Sequence, residues 1–347
     1  MTGRKRRLRF GWGKTVVLQP DMRRGFTVVE LLMSLSVVAL LLGVVAPAIL
    51  DAREASRSVQ CKNAMKQLSL AVHQFEQTYR YLPGGCRSEL APNARTQPNA
   101  LSAHSRLLPF LDLRPTFELL DPMSSGRGWY PIPKNQLANG VSLPDVPLFH
   151  CPSDSAERCS NNFRLCTGSG HYLNGGGSMS CICGGGAGKS EIYRPRLQYI
   201  SAGLSNTALV SESLIGDGDP AHFTSRRDSR RVKPEFVQPF LRTDADAIAS
   251  YCAAVPDDPQ PAHVSNGGRT WLLAGNAYTW YSHVLPPNSL VSDCTASGER
   301  MDIAIVTARS QHRLGVNMGY ADGAVSYVSN GVDLQVWRLM GRAKHGQ

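Results

Sequence analysis

The sequence predicts an α+β protein: one long N-terminal helix, first apolar and then amphipathic, packed on an antiparallel β-sheet that carries a loop-rich insertion. Three observations lead there. Leu31 to Leu50 is a run of 20 residues without a charge. Cys61, Met65, Leu68, Val72, Phe75, Tyr79 and Leu82 then recur at alternating four- and three-residue steps, which places them on one face of a helix. Pro83-Gly84-Gly85 ends that pattern, and beyond it glycine and proline, 32 and 22 in the whole 347-residue sequence, break the chain too often for long helices. Short strands and loops are left.

The apolar run comes first. Twenty helical residues at about 1.5 Å each match a hydrocarbon thickness of about 30 Å. The formal net charge of +10 first suggests a nucleic-acid binder, but its distribution argues otherwise. Arg4, Lys5, Arg6, Arg7, Arg9, Lys14, Arg23 and Arg24 against Asp21 account for +7 of it before Gly25, so the rest of the chain is close to neutral. Nucleic acid is discarded as a partner. Basic residues before the run and few after it predict a cytoplasmic N-terminus and an exported remainder, crossing the membrane once.

Three readings of the run compete. An ordinary secretory signal would use Ala46-Pro47-Ala48 for cleavage and release a soluble protein beginning at Ile49. Against it, the run exceeds the usual h-region of roughly 7–15 residues, and the helical pattern continues past the cut. A plain anchor leaves Glu30 unexplained, since a carboxylate at a bilayer edge is costly without a partner. The third reading accounts for Glu30. The stretch RRGFTVVELLMSLSVVALLLGVVAP closely resembles the N-terminal processing motif of type IV pilins and type II secretion pseudopilins. The resemblance implies a basic leader over residues 1–25 that ends at Gly25. It also implies cleavage by a prepilin peptidase and N-methylation of Phe26, the new terminus. Glu30 becomes the fifth residue of the processed chain. There its carboxylate would neutralise the terminal ammonium of a neighbouring pilin-like subunit during assembly. Pro47 fits the same family, loosening the helix at mid-membrane depth.

On this reading residues 26–50 span the inner membrane, 51–82 form the amphipathic half of the helix, and 83–347 form an extracytoplasmic β-rich body. If continuous from Phe26 to Leu82, the helix would reach roughly 85 Å. A cysteine- and glycine-rich insertion occupies about 155–190.

A second resemblance extends along the body. AREASRSVQCKNAMKQLSLAVHQFEQTYRYLPGG, SRLLPFLD, PLFHCPSD, ISAGLSNTALVSES, HVLPPNSLVSDC and HRLGVNMGYADGAV are similar, in this order, to the blocks of a large uncharacterised prepilin-like family. Its C-terminal signature is a histidine, nine residues, then Asp-Gly: here His312, Asp322 and Gly323. This implies a pilin-like fold and a filament or secretion context, with no established activity. Read from the residues alone, Val316, Met318 and Tyr320 alternate with small or polar residues, and Asp322-Gly323 is a favoured hairpin turn. The signature is therefore read as a β-hairpin with His312 just before its first strand, held by a structural hydrogen bond; a metal or catalytic role lacks enough partners.

The nine cysteines are an odd number, so export permits disulfides but leaves at least one thiol over or paired with another chain. Cys61, Cys151 and Cys294 lie in the family-like blocks. Cys159, Cys166, Cys181 and Cys183 cluster around the insertion, where local bridges would compensate for a missing core; Cys252 is a further possible partner. A zinc site from His150, Cys151, Cys159, Cys166, Cys181 and Cys183 is the sharper alternative, but the spacings match no familiar zinc pattern. No cofactor is expected. CGGGAGKS, Cys183 to Ser190, fails as a phosphate loop because Cys183 stands where the first glycine must make the turn. GDGDP, Gly216 to Pro220, lacks a full calcium ligand set and reads as an exposed turn. Ser211-Glu212-Ser213 and His283 form no catalytic spacing. The protein is expected to be a structural subunit rather than an enzyme, with an anchored or released periplasmic binding protein or enzyme as the alternative.

Overall fold

Helix α1, Val28–Tyr79, is a single 52-residue element with Pro47 inside it. The computed structural model describes residues 27–83, 102–124, 144–154, 159–169, 195–232, 245–255, 263–296 and 304–344. The chain divides at Arg53 and Glu54 into two units. In the first, every described residue is exposed, including Leu31, Leu40, Val44 and Leu50. An apolar surface of that length suits a hydrocarbon environment rather than water.

In the second unit α1 buries Cys61, Ala64, Met65, Leu68, Ser69, Ala71, Val72 and Phe75. The predicted stripe is therefore the packed face, with one correction: Tyr79 is 51% exposed. The helix stops there, at Tyr79 rather than at Pro83. Arg80 turns left-handed (φ 61°), and Leu82 leaves the axis to donate its N–H to the Pro195 carbonyl at 2.7 Å. The residue before a proline disfavours the helical region, so α1 has to end short of Pro83.

Among the described residues there are two sheets. The larger runs in the order β5 (Trp280–Tyr281), β1 (Phe163–Cys166), β2 (Ala208–Glu212), β8 (Gly315–Tyr320), β9 (Val325–Ser329). The smaller is β4 (His263–Val264), β3 (Ser229–Val232), β6 (Asp293–Ala296), β7 (Ala304–Ile305). Antiparallel pairing dominates, but β1 pairs parallel with β5 and β3 with β6. The expected single antiparallel sheet is thus two mixed ones. A further correction concerns the insertion read at about 155–190: β1, buried along its whole length, lies inside that range and next to the sheet centre. Short helices α2 (Ala103–Leu107), α3 (Arg114–Ser124), α4 (Ala245–Ala254) and α5 (Leu334–Met340) fill the remainder.

One face of the larger sheet meets α1. Phe163, Leu165, Leu209 and Val210 join the α1 stripe in one core, with Leu107, Phe149 and Trp271. The opposite face packs Val316, Met318, Tyr281 and Val328 against Trp337 of α5. In β8 the alternation is functional: Val316 and Met318 point away from α1, while Asn317 and Gly319 point towards it. A Cβ at Gly319 would lie 2.7 Å from Val210 Cγ1 and 3.2 Å from Ser69 Oγ. Only glycine lets the helix approach the sheet this closely.

Candidate functional site

Glu54, Arg57, Ser58 and Cys61 follow one another at helical i, i+3, i+4, i+7 spacing, so α1 presents them on one face. Three other segments converge on that face: the loop Cys151-Pro152-Ser153-Asp154, the end of β2 at Glu212, and the loop before β8 that carries His312. Each belongs to a different block of the family-like sequence.

His312 sits at the centre, its side chain 3% exposed. Its Nδ1 is 2.5 Å from Glu54 Oε1 and its Nε2 is 3.2 Å from Glu212 Oε1. Burial alone would push the imidazole pKa down, but hydrogen bonds and charge from Glu212 and then Glu54 outweigh it and raise the value. A protonated ring donates both N–H groups, one to each carboxylate. Burial likewise opposes ionisation of Glu54, but His312, Arg57 and Ser153 hold its pKa below the ordinary value. Arg57 donates to Glu54 Oε2 at 2.6 Å, and the Ser153 hydroxyl donates to Oε1 at 3.1 Å. Glu212 accepts from the Asn317 N–H and from Asn317 Nδ2, both at 2.9 Å. Every charge in the cluster has an opposite or a donor, as burial demands.

Beside the histidine, Cys61 and Cys151 form a disulfide with a Cα–Cα distance of 5.3 Å across 90 residues. Closing a loop of that length stabilises the fold by roughly 4–5 kcal/mol in the chain-entropy account. Cys151 Sγ is 3.6 Å from His312 Nε2 and 3.9 Å from Glu212 Oε1. Asp154 continues the same loop into the body, pairing with Arg227 at 2.7 Å and accepting from Asn162 Nδ2 and the Ile215 N–H. The arrangement clasps α1 to the sheet by charge, hydrogen bonds and one covalent link. Among the described residues, metal-ligating atoms converge at Cys61, Cys151, Glu212 and His312. With the sulfurs oxidised, no thiolates stand there to bind a soft cation.

The rest of the signature shapes the turn. Gly323 has φ 84°, and Asp322 Oδ1 accepts from the Ala324 N–H at 2.8 Å. The Lys66 ammonium of α1 donates to the Gly323 carbonyl at 2.6 Å, so Asp322-Gly323 meets the helix at Lys66 and His312 meets it at Glu54.

The other expected residues fall elsewhere. Gly25 and Phe26 lie outside the described residues. Glu30 has partners in its own chain: its Oε2 accepts from the Thr27 N–H and hydroxyl, both at 2.9 Å, and Thr27 Oγ1 accepts from the Glu30 N–H at 3.2 Å. This is a reciprocal capping box at the start of α1. Cys252 and Cys294 form a second disulfide, joining α4 to β6. Cys166 is a buried thiol whose pKa burial pushes up to about 12, which makes it inert. Among the described residues the alternative zinc cluster is not assembled: His150 Nε2 lies 3.4 Å from Asp145 Oδ1 and Cys151 is bridged to Cys61, while Cys181 and Cys183 lie outside them, as does the stretch from Cys183 to Ser190. Asp217 and Asp219 of GDGDP accept from the Asp219 and Ala221 N–H groups, the Thr224 hydroxyl and His222, closing turns. His283 is buried among Tyr281 and Trp337.

Sequence reasoning missed Glu54, Glu212 and Asn317 as site residues. One signal was present: Glu212 ends an otherwise uncharged strand, Ala208–Glu212, that is buried throughout, and a carboxylate in such a strand requires a partner.

Long apolar helix, mixed sheets and clasp together define a pilin-like α+β protein. The chain belongs to the family described as protein of unknown function (DUF1559), which it matches over residues 51–335. No curated protein and no solved structure matches it.

Proposed function

We propose that this protein is a pilin-like structural subunit, cut between Gly25 and Phe26 by a prepilin peptidase, methylated at Phe26 and held in the inner membrane by residues 26–50. The body stands outside the cytoplasm, and the protein co-assembles with other pilin-like subunits in a type IV pilus or a type II secretion-type assembly. The observation that carries this reading is α1 itself. One helix is apolar and exposed throughout its first unit and buried on one face in its second, and only the first half is long and apolar enough to cross a membrane. Two disulfides add support, because such bonds persist in oxidising compartments.

The capping box sharpens the test at Glu30. Glutamine at this position still accepts from Thr27, so Glu30→Gln keeps the cap and removes only the charge. Glu30→Ala removes both. The processed terminus is read by mass spectrometry, and assembly by cross-linking in membranes. The expected result is Phe26 as methylated terminus in all three proteins, with higher oligomers in wild type alone. Ile49 as terminus would establish ordinary signal cleavage, and cross-linking by Glu30→Gln equal to wild type would remove the charge from assembly.

A further inference from the structure

The side chains around His312 are arranged for more than a disulfide. We propose that the reduced protein binds one zinc ion through Cys61 Sγ, Cys151 Sγ, Glu212 Oε1 and His312 Nε2, and that forming the Cys61–Cys151 disulfide expels it. Metal and disulfide are alternative clasps at one place.

Geometry carries the proposal. The four ligand atoms lie within 4.8 Å of one another. Zinc–ligand bonds of about 2.0–2.3 Å in a tetrahedron require ligand-to-ligand edges of about 3.3–3.8 Å. Of the six edges, Cys151 Sγ to His312 Nε2 at 3.6 Å falls inside that range, while Cys151 Sγ to Glu212 Oε1 at 3.9 Å and His312 Nε2 to Glu212 Oε1 at 3.2 Å lie just outside it, within reach of a small side-chain adjustment. The sulfur-to-sulfur edge is a covalent bond here and opens on reduction, and the two edges from Cys61 Sγ to His312 Nε2 and Glu212 Oε1 lie within the same 4.8 Å.

The surroundings fit as well. A zinc-bound histidine almost always gives its other ring N–H to a carboxylate, a backbone carbonyl or a water, and here the carboxylate of Glu54 holds Nδ1 through Oε1 at 2.5 Å. A ligating carboxylate is in turn held by donors, and Asn317 supplies two to Glu212. The four ligand residues are each at most 5% exposed, so the site is closed, with four protein ligands and no position left for substrate. That is the character of a structural zinc site. Arg57 is engaged by Glu54.

The exchange balances with a disulfide co-reactant such as oxidised glutathione. Each zinc-bound thiolate gives up one electron and the pair forms the Cys61–Cys151 bond. The metal leaves as the aquo ion. The co-reactant's own S–S bond breaks as it takes the two electrons, and with two protons drawn from solvent it departs as two thiols.

The test uses the full-length protein in detergent, reduced with a phosphine under inert gas, loaded with zinc chloride, desalted and analysed for metal. Cobalt loading is the parallel readout, since thiolate ligands give cobalt a charge-transfer band. The expected result for wild type is one zinc per reduced chain, none per oxidised chain, and stoichiometric release on adding oxidised glutathione. Cys252→Ser should keep the zinc, and Cys151→Ser should lose it together with the cobalt–thiolate band. Because a ligand variant can lose the metal by misfolding, Glu54→Gln provides a milder probe: its zinc affinity should fall by about 10–100-fold. Zinc uptake by reduced wild type no greater than by oxidised protein would overturn the proposal. So would undiminished uptake in Cys151→Ser, or unchanged affinity in Glu54→Gln.

Discussion

Removing the imidazole of His312 should be among the most damaging single substitutions outside the apolar core of the oxidised, metal-free protein. Glu212 is 2% exposed, and in His312→Ala it keeps the two donors of Asn317 but loses its counter-charge. Leaving one partner of a buried ion pair alone costs about 3–5 kcal/mol. At about 2–4 °C per kcal/mol for domains of 150–250 residues, the melting temperature should fall on the order of 10 °C. The assay is thermal unfolding of the full chain in detergent, followed by near-ultraviolet circular dichroism. The control is the double variant His312→Ala/Glu212→Gln. A neutral amide in place of the stranded carboxylate should recover more than about 1 kcal/mol, because contacting residues couple in such cycles. A single variant within about 1 kcal/mol of wild type, or a double variant whose losses simply add, would refute the charge argument and leave His312 as a packing residue.

Gly319→Ala should cost about 1–3 kcal/mol by overpacking, since the new methyl would lie 2.7 Å from the stiff Val210 side chain; equal melting of variant and wild type would show that α1 has room to move. Cys61→Ser/Cys151→Ser, assayed without metal, should lower stability by about 2–5 kcal/mol, while chemical denaturation indistinguishable from wild type would deny the bridge a structural role. Acid should weaken the fold through two buried neutral histidines: burial depresses His104 to about 4 and His283 to about 3. Because both folded values lie below the unfolded one, their full stability is present above about pH 6.5 and is lost as pH falls towards the folded values. By pH 5 each should have cost about 2 kcal/mol by linkage. Melting curves at pH 7 and pH 5 for wild type and His283→Asn check this, and a variant with the same acid loss as wild type would refute the assignment.

The stripe from Cys61 to Phe75 was legible because a helix on a sheet repeats its apolar face every three or four residues over several turns. Tyr79 escaped because the turn at Arg80 is a local left-handed conformation with no periodic trace. Strand β1 was hidden by Arg164, a guanidinium 2% exposed in the body. Its Nη1 donates to the Asn276 carbonyl 112 residues away, a partner no local pattern announces. The hairpin around Asp322-Gly323 was readable because turn chemistry is local. The clasp was legible only in fragments. His312 and Cys61 could be singled out, but their meeting with Glu212 and Glu54 depends on strand order, and the parallel β1–β5 and β3–β6 pairs show how far that order departs from sequence neighbourhood.

The place of the clasp along α1 has a mechanical consequence. Tension drawn along the helix from its apolar half enters the folded body at Glu54, and the covalent bond at Cys61 lies seven residues further on. Apolar packing alone resists sliding weakly, because each contact that breaks along the stripe is replaced by a similar one a turn away. A disulfide admits no such slippage. A load that would otherwise shear α1 across the sheet is passed at Cys61 to Cys151, and from its loop through Asp154 and Arg227 into the rest of the body. In the oxidised protein the helix therefore cannot be drawn out like a rod from a sleeve without carrying the Cys151 loop with it.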